Sequence, residues 1–406
     1  MTAISNIQAR AQRRGIIRRT FVPAMLALAL HAGAASAADR LKIGFVSTLS
    51  GPAATTGTDT RDGFNLALKM NGGKLGGLPT EVLIADDAVN PDTARIAVDR
   101  MIRRDRVDFM TGMVFSAVLL PVMPAILESG TFYLSSNTGP RDYAAEKCNP
   151  YFFAVAWQNE DIPAAMGKFV GDRGFGKIAL VAPNYPGGRE TLDGFKRTFS
   201  GKHEEIYTKL GQLDYAAELA QLRANKPEAL FVFLPGGMGI NFIKQFVASG
   251  LSKDMQLFVP NGIADEDMIR PLGEMLLGTF NASHWGHDID NDANRRFVAA
   301  FQAEYKRLPT MYAAQGYDTA LLIDSAVRGV KGRIEDKAAL RRALEAAKFA
   351  SVRGPFRFNR NHYPIHDIYM RVVSRDNQGR ITNRTLGKVV TDFADPYAGQ
   401  CRMPPG

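Results

Sequence analysis

No acidic residue occurs before Asp39, and no apolar run there is long enough to cross a membrane. Arg10, Arg13, Arg14, Arg18 and Arg19 precede an apolar stretch from Phe21 to Leu30, about half of the roughly 20 residues a span needs. Small residues follow. The pattern is a secretory signal peptide over residues 1–37 with cleavage at Ala35-Ser36-Ala37, which predicts a periplasmic protein rather than an anchored one. Arg18-Arg19-Thr20-Phe21 also has the form of a twin-arginine signal, so the export route stays open.

Cysteine is nearly absent, with only Cys148 and Cys401. In an exported chain an even pair far apart in sequence reads as one staple. Catalytic signatures are missing as well: there is no GxSxG elbow, no HExxH, no P-loop and no CxxC. His362 and His366 are four apart, but Pro364 between them rules out a helical metal pair, and both are expected at the surface or a hinge. His284 with Trp285 is expected to pack at a hinge. No metal, cofactor or enzymatic activity is expected.

Charge is the next shortage. Losing residues 1–37 removes five arginines and no acid, so the formal +9 of the chain falls to +4. After Asp39 there is no Lys/Arg run with interleaved aromatics, which excludes a nucleic-acid footprint.

What is present is an α/β rhythm. Leu41–Ser47 reads as a strand, 60–70 as a helix, 81–85 as a strand, 92–103 as a helix, 109–112 as a strand, 117–129 as a helix apart from its prolines and 131–134 as a strand. Continuous apolar strands, each followed by a helix, predict a parallel sheet covered on both faces. The rhythm restarts after Trp157 with helix 161–172 and continues to strand 256–259. From Asn291 three helices follow, and then strand-like runs at 356–358, 367–373 and 380–389. Helices without strands of their own must cover a sheet already built, so the chain is expected to return to its first lobe. The reading is two Rossmann-like, doubly wound lobes: 38–156 with 284–358, and 157–283 with 359–406.

In such sheets ligands bind beyond the carboxyl ends of the strands. Four loops there are rich in small polar residues: Thr48 to Gly57, Val114 to Ala117, Ser135 to Pro140 and Pro183 to Gly188. Hydroxyls and bare amides suit a carboxylate held by neutral donors and later released. Gly236-Gly237-Met238-Gly239 has the outline of a dinucleotide fingerprint, but Phe242 stands where the third glycine is needed. Its small residues are expected to leave room for a bulky solute.

Ile43-Gly44-Phe45, Leu49-Ser50-Gly51-Pro52, Asp86-Asp87, Asn90-Pro91 and Pro309 to Asp318 together resemble the leucine/isoleucine/valine-binding type of periplasmic solute-binding proteins over nearly the whole mature chain. The last motif, with the two cysteines, is similar to the branch that takes aromatic or other hydrophobic carboxylic acids. The resemblance implies two lobes on three hinge crossings, closure on the solute and delivery to a permease of an ABC importer. It also implies a disulfide between Cys148 and Cys401, and a protein expected to act as a monomer. Carboxylate donors fall on Ser116, Ser136, Asn137 and Thr138, a first-loop contact on Thr56 and a pocket aromatic on Tyr312. Tyr185 offers a second aromatic wall. Neutral Asn261 stands where amino-acid binders carry the acid that holds the ammonium, so the expected ligand lacks an α-amino group, because a buried ammonium without an anion is costly. Branched-chain amino acid or amide binding, a sensory receptor domain and an enzyme on the same scaffold are the alternatives.

Overall fold

The computed structural model describes residues 38–260 and 262–404. The expected signal peptide and Asn261 therefore lie outside the described residues. The first lobe is built on β1 (Leu41–Ser47), α1 (Ala54–Met70), β2 (Lys74–Leu75), β3 (Leu78–Asp86), α2 (Pro91–Arg100), β4 (Phe109–Thr111), α3 (Ser116–Glu128), β5 (Phe132–Ser135), α4 (Arg141–Ala144) and β6 (Phe152–Ala154). The sheet order is β2-β3-β1-β4-β5-β6, and every pairing except the β2–β3 hairpin is parallel. The buried β1 side chains Leu41, Ile43 and Phe45 explain why its apolar run is nearly continuous.

The second lobe follows with α5 (Asp161–Asp172), β7 (Lys177–Pro183), α6 (Pro186–Thr198), β8 (Lys202–Thr208), α7 (Ala216–Asn225), β9 (Ala229–Val232), α8 (Gly237–Ala248), β10 (Gln256–Val259), α9 (Glu266–Leu272) and β11 (Phe280–Ser283). The chain then crosses back. Helices α10 (Asp292–Tyr305), α11 (Met311–Gly329) and α12 (Lys337–Glu345) precede β12 (Arg357–Phe358), β13 (Pro364–Arg375) and β14 (Ile381–Phe393). The second sheet runs β12-β13-β11-β10-β9-β7-β8, with β14 on β13. Its late strands are antiparallel to their neighbours, so this sheet is mixed rather than purely parallel.

Helix α11 covers the first sheet by lying directly on α1. A Cβ on Gly63 would sit 1.8 Å from the Ala313 carbonyl oxygen, and one on Gly316 would sit 1.9 Å from that of Thr60. Only glycine lets the two backbones touch this closely. The contact explains why α1 starts at Ala54, six residues before the expected position, through a Thr-rich stretch of weak helix propensity. Helix α3 runs through Pro121 and Pro124 without a break. Both prolines lie on the exposed face, where the carbonyls they leave unpaired meet water.

Three crossings join the lobes, after β6, after β11 and before β12. His284, His362 and His366 are all buried there, none at the surface. His362 stacks on Phe153 at 3.9 Å, and its Nδ1 and Nε2 each lie 2.9 Å from an acceptor, Phe152 O and Glu345 Oε1. Burial pushes the His366 imidazole down to about 3, so it is neutral. Cys401, in the tail after β14, is bonded to Cys148 beyond α4.

Candidate functional site

The candidate residues sit where strands β1, β4, β5 and β7 hand over to helices. Asp86 and Asp87 shape the first loop from beneath: Leu49 N–H donates to Asp86 Oδ1 at 2.9 Å, and the Thr48 hydroxyl donates to Asp87 Oδ1 at 2.6 Å. Thr56 follows in the first turn of α1, buried, with its hydroxyl unpartnered. Ser116 opens α3, and Thr138 lies in the loop after β5. Their hydroxyl oxygens are 2.5 Å apart, with exposures of 1% and 4%. Ser136 is buried and accepts from Thr111 at 3.3 Å. Asn137 Nδ2 donates to the Val114 carbonyl at 2.7 Å, bracing one loop against the next, while Oδ1 is unpartnered.

The second lobe closes on this face. Tyr185 precedes α6 and meets Phe115 edge-on at 5.9 Å. A Cβ on Gly187, in the first turn of α6, would lie 3.0 Å from Ser116 Oγ and 3.1 Å from the Tyr185 hydroxyl. The helix thus brings N–H groups without intrahelical partners, and the positive end of its dipole, onto Ser116. Tyr312, on the first turn of α11, packs so tightly on Gly262 that a Cβ there would be 2.1 Å from its hydroxyl oxygen. Burial pushes both phenols well above the usual tyrosine range, so each remains a neutral donor.

Gly236 and Gly237 do not leave space for a solute. They leave it for the first lobe: Gly237 N–H donates to Pro52 O at 2.8 Å, and a Cβ on Gly237 would lie 2.8 Å from that same oxygen. Gly236 takes φ 60° and ψ −135°, open only to glycine, to start α8 at this contact.

The motif from Pro309 to Asp318 turns out to serve several contacts at once. Thr310 caps α11 by accepting from Ala313 N–H at 3.3 Å, and its hydroxyl donates to Asp59 at 2.8 Å. Met311 N–H donates to Asp265 Oδ2 across the lobes at 2.7 Å. Gln315 Nε2 lies 3.3 Å from His284 Nε2 in the hinge. Burial, with the nearby Asp59 and Asp265 charges, holds the Asp267 carboxyl well above its usual range.

Two residues without a distinguishing sequence signal complete the arrangement. Asn159, in the first crossing, accepts from Gly139 N–H at 2.9 Å and donates to Ser116 Oγ at 3.3 Å and to Glu190 Oε2 at 2.7 Å. Glu190 comes from α6 of the other lobe. Beside it, Arg141 pairs with Glu160 and with Asp193, 2.7 Å away.

Two α/β lobes on three crossings, closed over hydroxyls and aromatic rings, define a hinged solute receptor. The chain belongs to the periplasmic binding protein family, whose model matches residues 40–379. It is similar to an ABC-transporter solute-binding protein from R. palustris solved in complex with benzoate, at a TM-score of 0.84 and 29% identity, covering 90% of this chain and 100% of that one. It is also similar to one from Rhodopseudomonas palustris BisB5 in complex with 3,4-dihydroxybenzoic acid, at 0.81 and 27%, covering 88% and 99%. A Leu/Ile/Val-binding protein homolog 6 from Brucella melitensis is 25% identical over 375 residues, 89% of this chain and 95% of that protein. Among the described residues, no helix is long and apolar enough to cross a membrane.

Proposed function

We propose that this chain is the periplasmic solute receptor of an ABC importer, and that it closes around a small carboxylic acid with an aromatic or similarly apolar body. The observation that carries this is the close pair of hydroxyls, Ser116 and Thr138, set under the N-terminus of α6 from the opposite lobe. A carboxylate entering there accepts from the hydroxyl pair and from helix N–H groups, while Tyr185 and Tyr312 wall its apolar body. Ser136, Asn137 and Thr56 line the same loops, and Asn261 is assigned to the facing loop of the second lobe.

The acids beside Tyr312 are poor partners for an α-amino group: Asp265 already accepts from Met311 N–H and faces Arg371 at 3.5 Å, and burial beside Asp59 and Asp265 holds the Asp267 carboxyl well above its usual range. The same reading has the chain exported by residues 1–37, acting as a monomer without turnover, and passing its solute to a membrane permease. Calorimetry with benzoate, 4-hydroxybenzoate and cinnamate against leucine, isoleucine and valine tests it. Aromatic acids should bind and raise the unfolding temperature, since ligand at about 100 times Kd adds about 2.7 kcal/mol of stability. Tight leucine binding with no heat from the aromatic acids would refute it.

A further inference from the structure

We infer that Asn159 is a positioning residue that makes the linked Ser116 and Thr138 hydroxyls turn their one free proton into the cleft, and that Glu190 completes this setting only when the lobes are closed. The inference rests on the reading of these hydroxyls as oxyanion donors.

The orientation of the Asn159 amide is fixed by its neighbours. Gly139 N–H can only donate, and it lies 2.9 Å from Oδ1. The other end is therefore Nδ2, which donates to Glu190 Oε2 at 2.7 Å and to Ser116 Oγ at 3.3 Å. Ser116 thus accepts from protein and keeps its own proton to give. Thr138 is 2.5 Å from Ser116, so one hydroxyl proton is held between the two oxygens, and with Asn159 Oδ1 3.5 Å away the other proton has no close protein acceptor. A carboxylate takes that proton. A carboxamide must also place its own N–H₂ against this donor, so the setting selects the anion over its neutral isostere. Glu190 reaches Asn159 from α6 and also accepts from Arg141 N–H at 3.3 Å. Those bonds span the lobes, so opening removes the Glu190 acceptor from Asn159 Nδ2 while the Gly139 N–H still holds Oδ1.

The test is an N159D variant with an E190Q control, measured by calorimetry on two ligand pairs, benzoate with benzamide and leucine with leucinamide. The carboxylate that N159D introduces faces Glu190 Oε2, which lies 2.7 Å from the Nδ2 it replaces; Glu190 takes the proton two such groups must share, so the new carboxylate is left as an acceptor and draws the Ser116 proton inward. Wild type should prefer the carboxylate of whichever pair it binds. N159D should lose that preference by about tenfold or more, the size of one charge-assisted hydrogen bond. E190Q, whose amide oxygen still accepts from Asn159, should keep it. Retention of the full preference by a folded N159D overturns the inference, and so does a wild type that does not distinguish acid from amide in either pair. Binding of leucine alone, with the preference lost in N159D, sustains this inference and sinks only the aromatic reading.

Discussion

Arg353 Nε lies 3.2 Å from Asp318 Oδ2, an ion pair buried where two interlobe crossings meet α11. The remaining guanidinium nitrogens donate to the carbonyls of Ala156, at 3.0 Å, and Val155, at 2.7 Å, in the first crossing. Asp318 also accepts from Val352 N–H and the Ser351 hydroxyl in the third. One pair therefore ties two crossings to the helix that covers the first sheet. Removing one partner of such a pair leaves a buried charge alone, at a cost of about 3–5 kcal/mol. Arg353→Met is expected to lower unfolding free energy by that amount in urea titrations. Arg353→Lys should fall between, because an ammonium cannot reach three acceptors in one plane.

Glu190 is expected to make binding pH-dependent. In the closed lobes burial pushes its carboxyl up to about 7, against the pull of Asn159 and Arg141 and with the push of Glu160. In open lobes, with water on the carboxyl, its value returns toward about 4.3. A group whose pKa rises on closure takes up a proton as the lobes close, so this help to closure is present below about 7 and is lost as the pH rises through it. Affinity for an acid ligand is expected to be roughly tenfold weaker at pH 8 than at pH 6. Glu190→Gln should flatten the profile. Calorimetry at the two pH values decides it.

The Cys148–Cys401 disulfide closes a span of 253 residues and pins the tail whose Tyr397 hydroxyl donates to Glu160 at 2.6 Å. Replacing both cysteines with alanine is expected to cost roughly 2–5 kcal/mol of stability. Neither cysteine is on the loops that carry Ser116 and Thr138, so ligand affinity should change little. Thermal unfolding and calorimetry on the same variant separate the two effects, and thiol labelling of the native, unreduced protein should find no free cysteine.

Periodicity located the elements whose burial is carried by their own side chains. Leu41–Ser47, Asp161–Asp172 and Gln256–Val259 are read from sequence to the residue. Strand β11 was not legible, because Asn281 and Ser283 look like loop residues. Asn281 can be buried because Asn383, 102 positions later, supplies an acceptor at 2.8 Å and Arg371 Nε donates to its Oδ1 at 2.8 Å. The glycines at 236 and 237 were visible as a special backbone, but not the facing Pro52 that requires them. The hydroxyl-rich loops pointed to Ser116 and Thr138, which the fold brings 2.5 Å apart. Asn159 and Glu190 belong to no pattern, since their contact exists only between lobes.

Gly237 is where folding and closure can be separated. Its N–H meets Pro52 O at 2.8 Å across the cleft, and an added Cβ would stand 2.8 Å from both that backbone oxygen and the Pro52 side chain. Position 237 begins α8, where alanine or valine is sterically acceptable in the isolated lobe. The first-lobe loop is what they would strike, and only when the lobes are shut. Gly237→Val is therefore expected to leave the unfolding temperature without ligand nearly unchanged while weakening ligand binding by about tenfold or more, the equivalent of about 1.4 kcal/mol of closure energy. Small-angle scattering should find wild type contracting on saturation with ligand and Gly237→Val remaining open at the same concentration. A variant that contracts and binds like wild type would mean that the Pro52 contact does not limit closure.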